Sequence, residues 1–209
     1  MTCLNAYNQV IKVFSTIFSV YPFFIAEEII IPKGHSSLYY HPCHGPPNHK
    51  AGPDYSRYYA LSFLSPQQIG KNREKAIIGW LNVNGGKGEW DKTDTPPSLN
   101  PNKFLENELF RDLLHNVISK QAHQSDEIIS MAKYQQEGWL HIPDLRNPAP
   151  FGRIPDPEDI FGSVLVRGGI IQPESYQPML SAHRLVSGTS GLFILNSFLH
   201  SKLLEELQK

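Results

Sequence analysis

The chain has 209 residues, of which 40% are hydrophobic and 19% charged, and its formal net charge is −1. That length fits one medium domain with a sizeable core. Lysine and arginine are scattered with no basic stripe, which argues against nucleic acid as a partner. Cys3 and Cys43 are the only cysteines, so the fold does not rest on a disulfide framework. Their scarcity points to a reducing, intracellular setting, cytoplasmic or nuclear, with a mitochondrial one left open.

The first 26 residues are apolar, with Lys12 as their single charge. Lys12 lies inside the apolar run, where a signal peptide would place its charge before it. A mitochondrial presequence would be rich in arginine, and this segment has none. Lys12, Ser15, Thr16, Ser19 and Pro22 also interrupt the ~20 apolar residues that a membrane span needs. Residues 1–21 therefore read as an extension, mobile or forming an amphipathic helix, ahead of a single domain over 22–209.

Phe23 to Ile31 is strand-like, and Arg57 to Leu64 and Ala76 to Val83 read as an antiparallel pair. Asn84 to Pro101 is rich in Gly, Asp, Thr and Pro and predicts an exposed loop. Its Gly85-Gly86-Lys87-Gly88 lacks the spacing of a phosphate loop. A helix is predicted from Pro101 to about Gln121, with Leu105, Leu109, Leu113 and Val117 and, beside them, Phe110, Leu114 and Ile118 on one broad apolar face that packs through Leu109, Leu113 and Val117. A second follows Ser125 as its cap and stops at Gly138.

From Gly138 to Asp159 five prolines, at 143, 148, 150, 155 and 157, argue against a regular helix or central strand. Trp139, Leu140, Ile142, Leu145, Phe151 and Ile154 are too apolar for a disordered linker. The expectation is a stiff, docked loop with Trp139 and Phe151 as anchors and Arg153 tied to nearby carboxylates. Arg146, Asp156, Glu158 and Asp159 are expected at its surface. Ile160 to Val166 and Ile170 to Gln172 flank Gly168-Gly169 as a hairpin, after which Pro173 to Pro178 turns the chain. A second hairpin surrounds Gly188 to Gly191. A last helix, capped by Asn196 or Ser197, carries Leu199, Leu203 and Leu207. Strands, two helices, strands and a helix give an α+β fold with a mainly antiparallel sheet.

His41, Cys43, His44 and His49 place four donors suited to zinc within nine residues. Their spacing is poor, because the neighbours Cys43 and His44 point apart on an extended chain. His141, Arg153 and Asp156 are the catalytic candidates: Arg153 to hold an anionic group, His141 as general acid or base. The bland alternative is that loop carboxylates receive turn amides and pair with arginine. Tyr39, Tyr40, Tyr55, Tyr58 and Tyr59 crowd one region, as at a protein-binding surface or in a sheet with one wet face.

Several phrases carry a resemblance. They are Ser36-Ser37-Leu38-Tyr39-Tyr40-His41-Pro42, His44-Gly45-Pro46-Pro47-Asn48-His49-Lys50, Gly138-Trp139-Leu140-His141, Gly152-Arg153-Ile154-Pro155-Asp156-Pro157-Glu158-Asp159 and Glu174-Ser175-Tyr176-Gln177-Pro178-Met179. Across roughly residues 22 to 207 the chain resembles an uncharacterised family of small fungal proteins. The resemblance implies no activity and no site residues. It does imply that the chain before Tyr21 is accessory.

The sequence thus leads to a non-catalytic interaction or assembly protein with a protein partner, no stable membrane span and no obligatory cofactor. The alternative is a small enzyme or a zinc-binding protein centred on His41 to His49 with His141.

Overall fold

A computed structural model describes residues 27–29, 38–43, 46, 58–69, 73–83, 98–150, 153–188 and 191–209. The fold is α+β. A five-stranded antiparallel sheet runs in the order β1 (Glu27–Ile29), β2 (Leu38–Cys43), β3 (Tyr58–Ser62), β4 (Gly79–Asn82) and β5 (Phe104–Glu106). A three-stranded sheet follows, β6 (Gly138–Pro143), β7 (Ile160–Arg167) and β8 (Ile170–Pro178), then a short pair, β9 (Val186–Ser187) and β10 (Gly191–Leu192). The described helices are α1 (Arg73–Ala76), α2 (Glu108–Gln121), α3 (Asp126–Gln135) and α4 (Ser197–Leu207). The reading of residues 1–21 as an extension lies outside the described residues.

Alternation along a strand sends successive side chains to opposite faces. In the first sheet Leu38, Tyr40, Leu61 and Leu81 enter the main core, while Cys43, Tyr58, Ala60 and Trp80 form a second buried cluster behind it. Ala60 faces Trp80 across the ladder, a small residue against a large one. Burial of both faces explains why these strands read as nearly continuous apolar runs.

The helix expected from Pro101 is three elements. Pro101–Lys103 is a 3-10 turn capped by Asn100, Phe104–Glu106 joins the sheet as β5, and α2 begins only at Glu108. Asn107 makes that break possible. Its Oδ1 accepts from the Leu109 amide at 3.1 Å, and its Nδ2 donates to the Glu74 and Ile77 carbonyls at 2.6 Å each. Of the broad apolar face, the part that packs is not the one expected. Phe110, Leu114, Val117 and Ile118 are buried, Leu113 is partly so, and Leu109 is 44% exposed. Both sets obey the helical repeat, so spacing alone could not separate them.

Gly138 does not open a structureless loop. It starts β6, and the irregular chain described after it is 144–150 and 153–156, ahead of a 3-10 turn at Pro157–Asp159. Pro143 is tolerated because β6 is an edge strand and the proline stands at its end, beside a shift in register. The β7–β8 hairpin turns at Gly168 and Gly169, with φ of 57° and 74°, the two positive values a type I′ turn requires. Pro173 to Pro178 does not turn the chain but continues β8. Its register jumps from Leu165↔Gln172 to Ser163↔Gln177, so residues 173–176 bulge against Val164 alone.

Helix α3 runs as expected, but the Ser125 hydroxyl does not cap it; it accepts from Asn196 Nδ2 at 3.0 Å. Asn196 Oδ1 in turn caps α4, whose Leu199, Leu203 and Leu207 are buried. Phe193, just after β10, is the hub of the core. Its ring lies 5.8 Å from Phe63, 6.0 Å from Phe110 and 5.9 Å from Phe161, joining the first-sheet region, α2 and β7. Edge-to-face contacts at such separations are favourable beyond the area they bury.

Candidate functional site

Residues 144–150 and 153–156, between β6 and the turn before β7, carry backbone groups with no ladder to join, and irregular chain against a core must find other partners for them. The Asp144 and Leu145 amides donate to the Asp159 and Ile194 carbonyls at 2.7 and 2.9 Å, and the side chain of Arg146 adds further bonds. Its Nη1 donates to the Arg184 carbonyl at 2.8 Å, and its Nη2 to the Glu158 carbonyl at 2.7 Å. Its Nε lies 3.0 Å from Asp159 Oδ1 and 3.3 Å from Asp144 Oδ2, with all three side chains almost fully buried. Asp144 is equally engaged. Its Oδ1 accepts from the amides of Ile194 at 2.8 Å and Arg146 at 3.1 Å, and its Oδ2 receives His183 Nε2 at 3.0 Å. Asn147 Nδ2 completes the set on Asp159 Oδ2 at 2.9 Å.

These bonds clamp the segment to the β9–β10 hairpin. The expected docking is present, but through other residues. Arg153 is exposed and, among the described residues, joins no ion pair. Trp139 is half-exposed, and Phe151 lies outside the described residues. Among the described residues Arg146 and Asp159, expected at the surface, anchor the segment. Arginine suits this place because its planar fork of five donors meets carboxylates and carbonyls together.

Beside the clamp sits a second buried polar pair. The bulge in β8 carries Tyr176 inward, where its hydroxyl and His115 Nδ1 share a hydrogen bond of 2.8 Å. Bulges often re-aim a side chain in this way. Gly162 is required under the ring, since a Cβ there would stand 2.7 Å from Tyr176 Cε2 and Oη. Burial, aided by the charges of His183 and Arg111, lowers His115 to about 4. Burial likewise pushes the Tyr176 hydroxyl up. Both groups are therefore neutral at neutral pH, and His115 Nε2 has no hydrogen-bond partner among the described residues. The pair anchors the bulge to α2. In sequence the hint was His115 four residues after Arg111, inside an otherwise apolar helical face.

Among the described residues the sequence candidates are spread over β2, β6 and the chain that follows β6. His141 lies on β6 and pairs through Nδ1 with Ser163 Oγ at 2.8 Å, its partner across the ladder. Asp156 is exposed and its carbonyl accepts from the Asp159 amide at 2.8 Å, starting the 3-10 turn Pro157–Asp159. His41 and Cys43 share one face of β2 and are buried opposite Ala60 and Tyr58. His44 and His49 lie outside the described residues. Among the described residues no three His, Cys, Asp or Glu side chains are grouped to hold a metal ion.

Two surface features remain. On the outer face of the second sheet Trp139 stands opposite Leu165, and Ile170 is diagonal to Leu165 through Gln172. Trp139 is 44% and Ile170 67% exposed, with Leu165 half-buried between them. The other feature is an open groove of about 470 Å³ lined by α3, the end of β6 and the start of α4. It is mainly apolar, with Ile128, Ile142, Leu195 and Leu199 among its lining.

Family models, curated proteins and solved structures were all compared with this chain, and none matches. Among the described residues no helix is long and apolar enough to cross a membrane.

Proposed function

We propose that this is a non-catalytic interaction protein whose contact surface is the outer face of the three-stranded sheet. The observation that carries the reading is the contiguous row of Trp139, Leu165 and Ile170, held on a regular sheet and left partly open. Tryptophan in such a setting presents a large, rigid contact area, the kind of residue that dominates binding energy at protein interfaces. The buried groups with the richest chemistry, Asp144, Arg146, Asp159 and His183, are engaged with one another and with the backbone. Their arrangement supports a scaffold that keeps the second sheet and its connecting segment rigid.

The reading is tested by capture from native extract, quantified by mass spectrometry, on three immobilised baits. These are the wild-type protein, the double variant Trp139→Ser with Ile170→Ser, and Leu109→Ser, which alters an exposed leucine elsewhere. Proteins retained by the wild type and by Leu109→Ser but lost from the double variant are the expected result. If no captured protein separates the baits in this way, the outer face is not the contact surface.

A further inference from the structure

The groove lies on the other side of β6 from the proposed contact face. Ile142 lines it and faces inward, whereas Trp139 and His141 face outward on the alternating strand. Its lining sorts into two parts. Ile128, Ile142, Leu195 and Leu199 are almost wholly buried, and Met131, half-buried Pro143 and Leu145 bound the opening. The polar members are already bonded internally: Ser130 Oγ donates to the Asp126 carbonyl at 2.7 Å, and Asn196 bonds Ser125 and caps α4. An occupant of the interior therefore needs no polar group, and a polar one would lose its water without compensation.

The rim differs. Asp126 and Glu127 are exposed in the first turn of α3 and, among the described residues, join no ion pair. No lysine, arginine or histidine lines the groove to offset them. An apolar cleft edged by two unopposed carboxylates is complementary to an apolar group with a cation beside it. Its volume falls within the ~300–1,000 Å³ usual for a recognition cleft.

We infer that this groove receives a bulky apolar side chain of a partner peptide that carries Lys or Arg next to it. The apolar side chain supplies the burial; the cation supplies orientation and a salt-dependent share of the affinity. The site is separate from the outer-face surface, so either can fail alone.

A phage-displayed random dodecapeptide library panned on the immobilised full-length protein tests the inference. Recovered peptides are then labelled and measured by fluorescence anisotropy against the protein and its variants. The expected enrichment is Leu, Ile, Phe or Met adjacent to Lys or Arg. Affinity should fall about tenfold in the double variant Asp126→Asn with Glu127→Gln, and in Met131→Glu. It should be unchanged in Trp139→Ser and should weaken with added salt. All the substituted groove positions are exposed, so thermal unfolding should match the wild type. Failure to enrich any sequence, enrichment without basic residues, or binding kept by both groove variants would overturn the inference. So would self-association in sedimentation that Met131→Glu abolishes, since the groove would then belong to a second copy of the chain.

Discussion

The two larger sheets use aromatic residues in opposite ways. In the five-stranded sheet Tyr58 and Trp80 are buried on one face while Tyr40 lies in the main core on the other. In the three-stranded sheet Leu140, Val164 and Val166 enter the core, and the reverse face keeps Trp139, Leu165 and Ile170 partly open. Of the tyrosine-rich stretch that reads in sequence as a binding surface or as a sheet with one wet face, Tyr40 and Tyr58 are buried and Tyr39 and Tyr59 half-buried. The histidine and cysteine of β2, which read as metal ligands, are interior with Tyr40 and Tyr58. What sets the second sheet apart is a half-exposed tryptophan on an edge strand, not a concentration of aromatic residues.

The sharpest way to break that comparison is to loosen the support of the second sheet. Asp144→Ala leaves Arg146 and His183 buried beside Asp159 alone, and removing one partner of a buried pair typically costs ~3–5 kcal/mol. Urea denaturation should show a loss of that order, while Arg153→Ala should change stability by no more than about 0.5 kcal/mol. Equal effects would mean that the clamp lies at the exposed end of the segment and not at Arg146.

Next in size is the core that both sheets share. Leu114→Ala should cost ~2–5 kcal/mol, and Leu109→Ala well under half of that, because only Leu114 is buried. Denaturation midpoints of the two variants give the answer directly. A larger loss at Leu109 would restore the helix face that the sequence alone favoured.

That contrast shows where the sequence was legible. Strand pairs, both glycine hairpins and the Asn196 cap could be read because each depends on residues close in the chain. The face of α2 could not, because Leu109 and Leu113 fit the helical repeat as well as Phe110 and Leu114 do; β5 and the Asn107 contacts with Glu74 and Ile77 decide it. The clamp was half legible. Five prolines and six apolar residues announced a docked segment, but Arg146 is distinguished from Arg153 by its burial between Asp144 and Asp159 and by the Arg184 carbonyl, which the fold brings from elsewhere. Tyr176 was missed because Pro173 and Pro178 read as a turn, whereas here they border a bulge inside one strand.

The His115–Tyr176 pair sets a pH dependence of similar or smaller size. His115 titrates at about 4 in the folded protein and near 6.5 when unfolded, so between these values the unfolded chain binds the proton first. Stability from this group is complete above pH 6.5 and falls as the pH drops to 4, by about 3 kcal/mol in all. Denaturation of wild type and His115→Leu at pH 7 and pH 4.5 isolates the term, since the carboxylates of the clamp are common to both. The variant should lose distinctly less stability on acidification. Equal losses would show that His115 takes up its proton in the folded state as easily as in the unfolded one.

The smallest expected effect on stability bears most directly on the contrast between the sheets. Trp80 is buried against Cys43, Tyr58 and Ala60, and truncating a buried tryptophan to alanine typically costs ~3–5 kcal/mol. Trp139 already has nearly half its surface in water and stands on an edge strand, so Trp139→Ser should cost about 1 kcal/mol or less. The same substitution should nevertheless remove the captured partner, because the part of the indole that solvent touches is the part a partner would cover. Stability and capture must therefore separate at Trp139. If Trp139→Ser unfolds the protein as readily as Trp80→Ala does, the outer face is a packed surface like that of the first sheet. If it leaves both stability and capture unchanged, Trp139 is an ordinary exposed residue, and the two sheets differ in burial without differing in function.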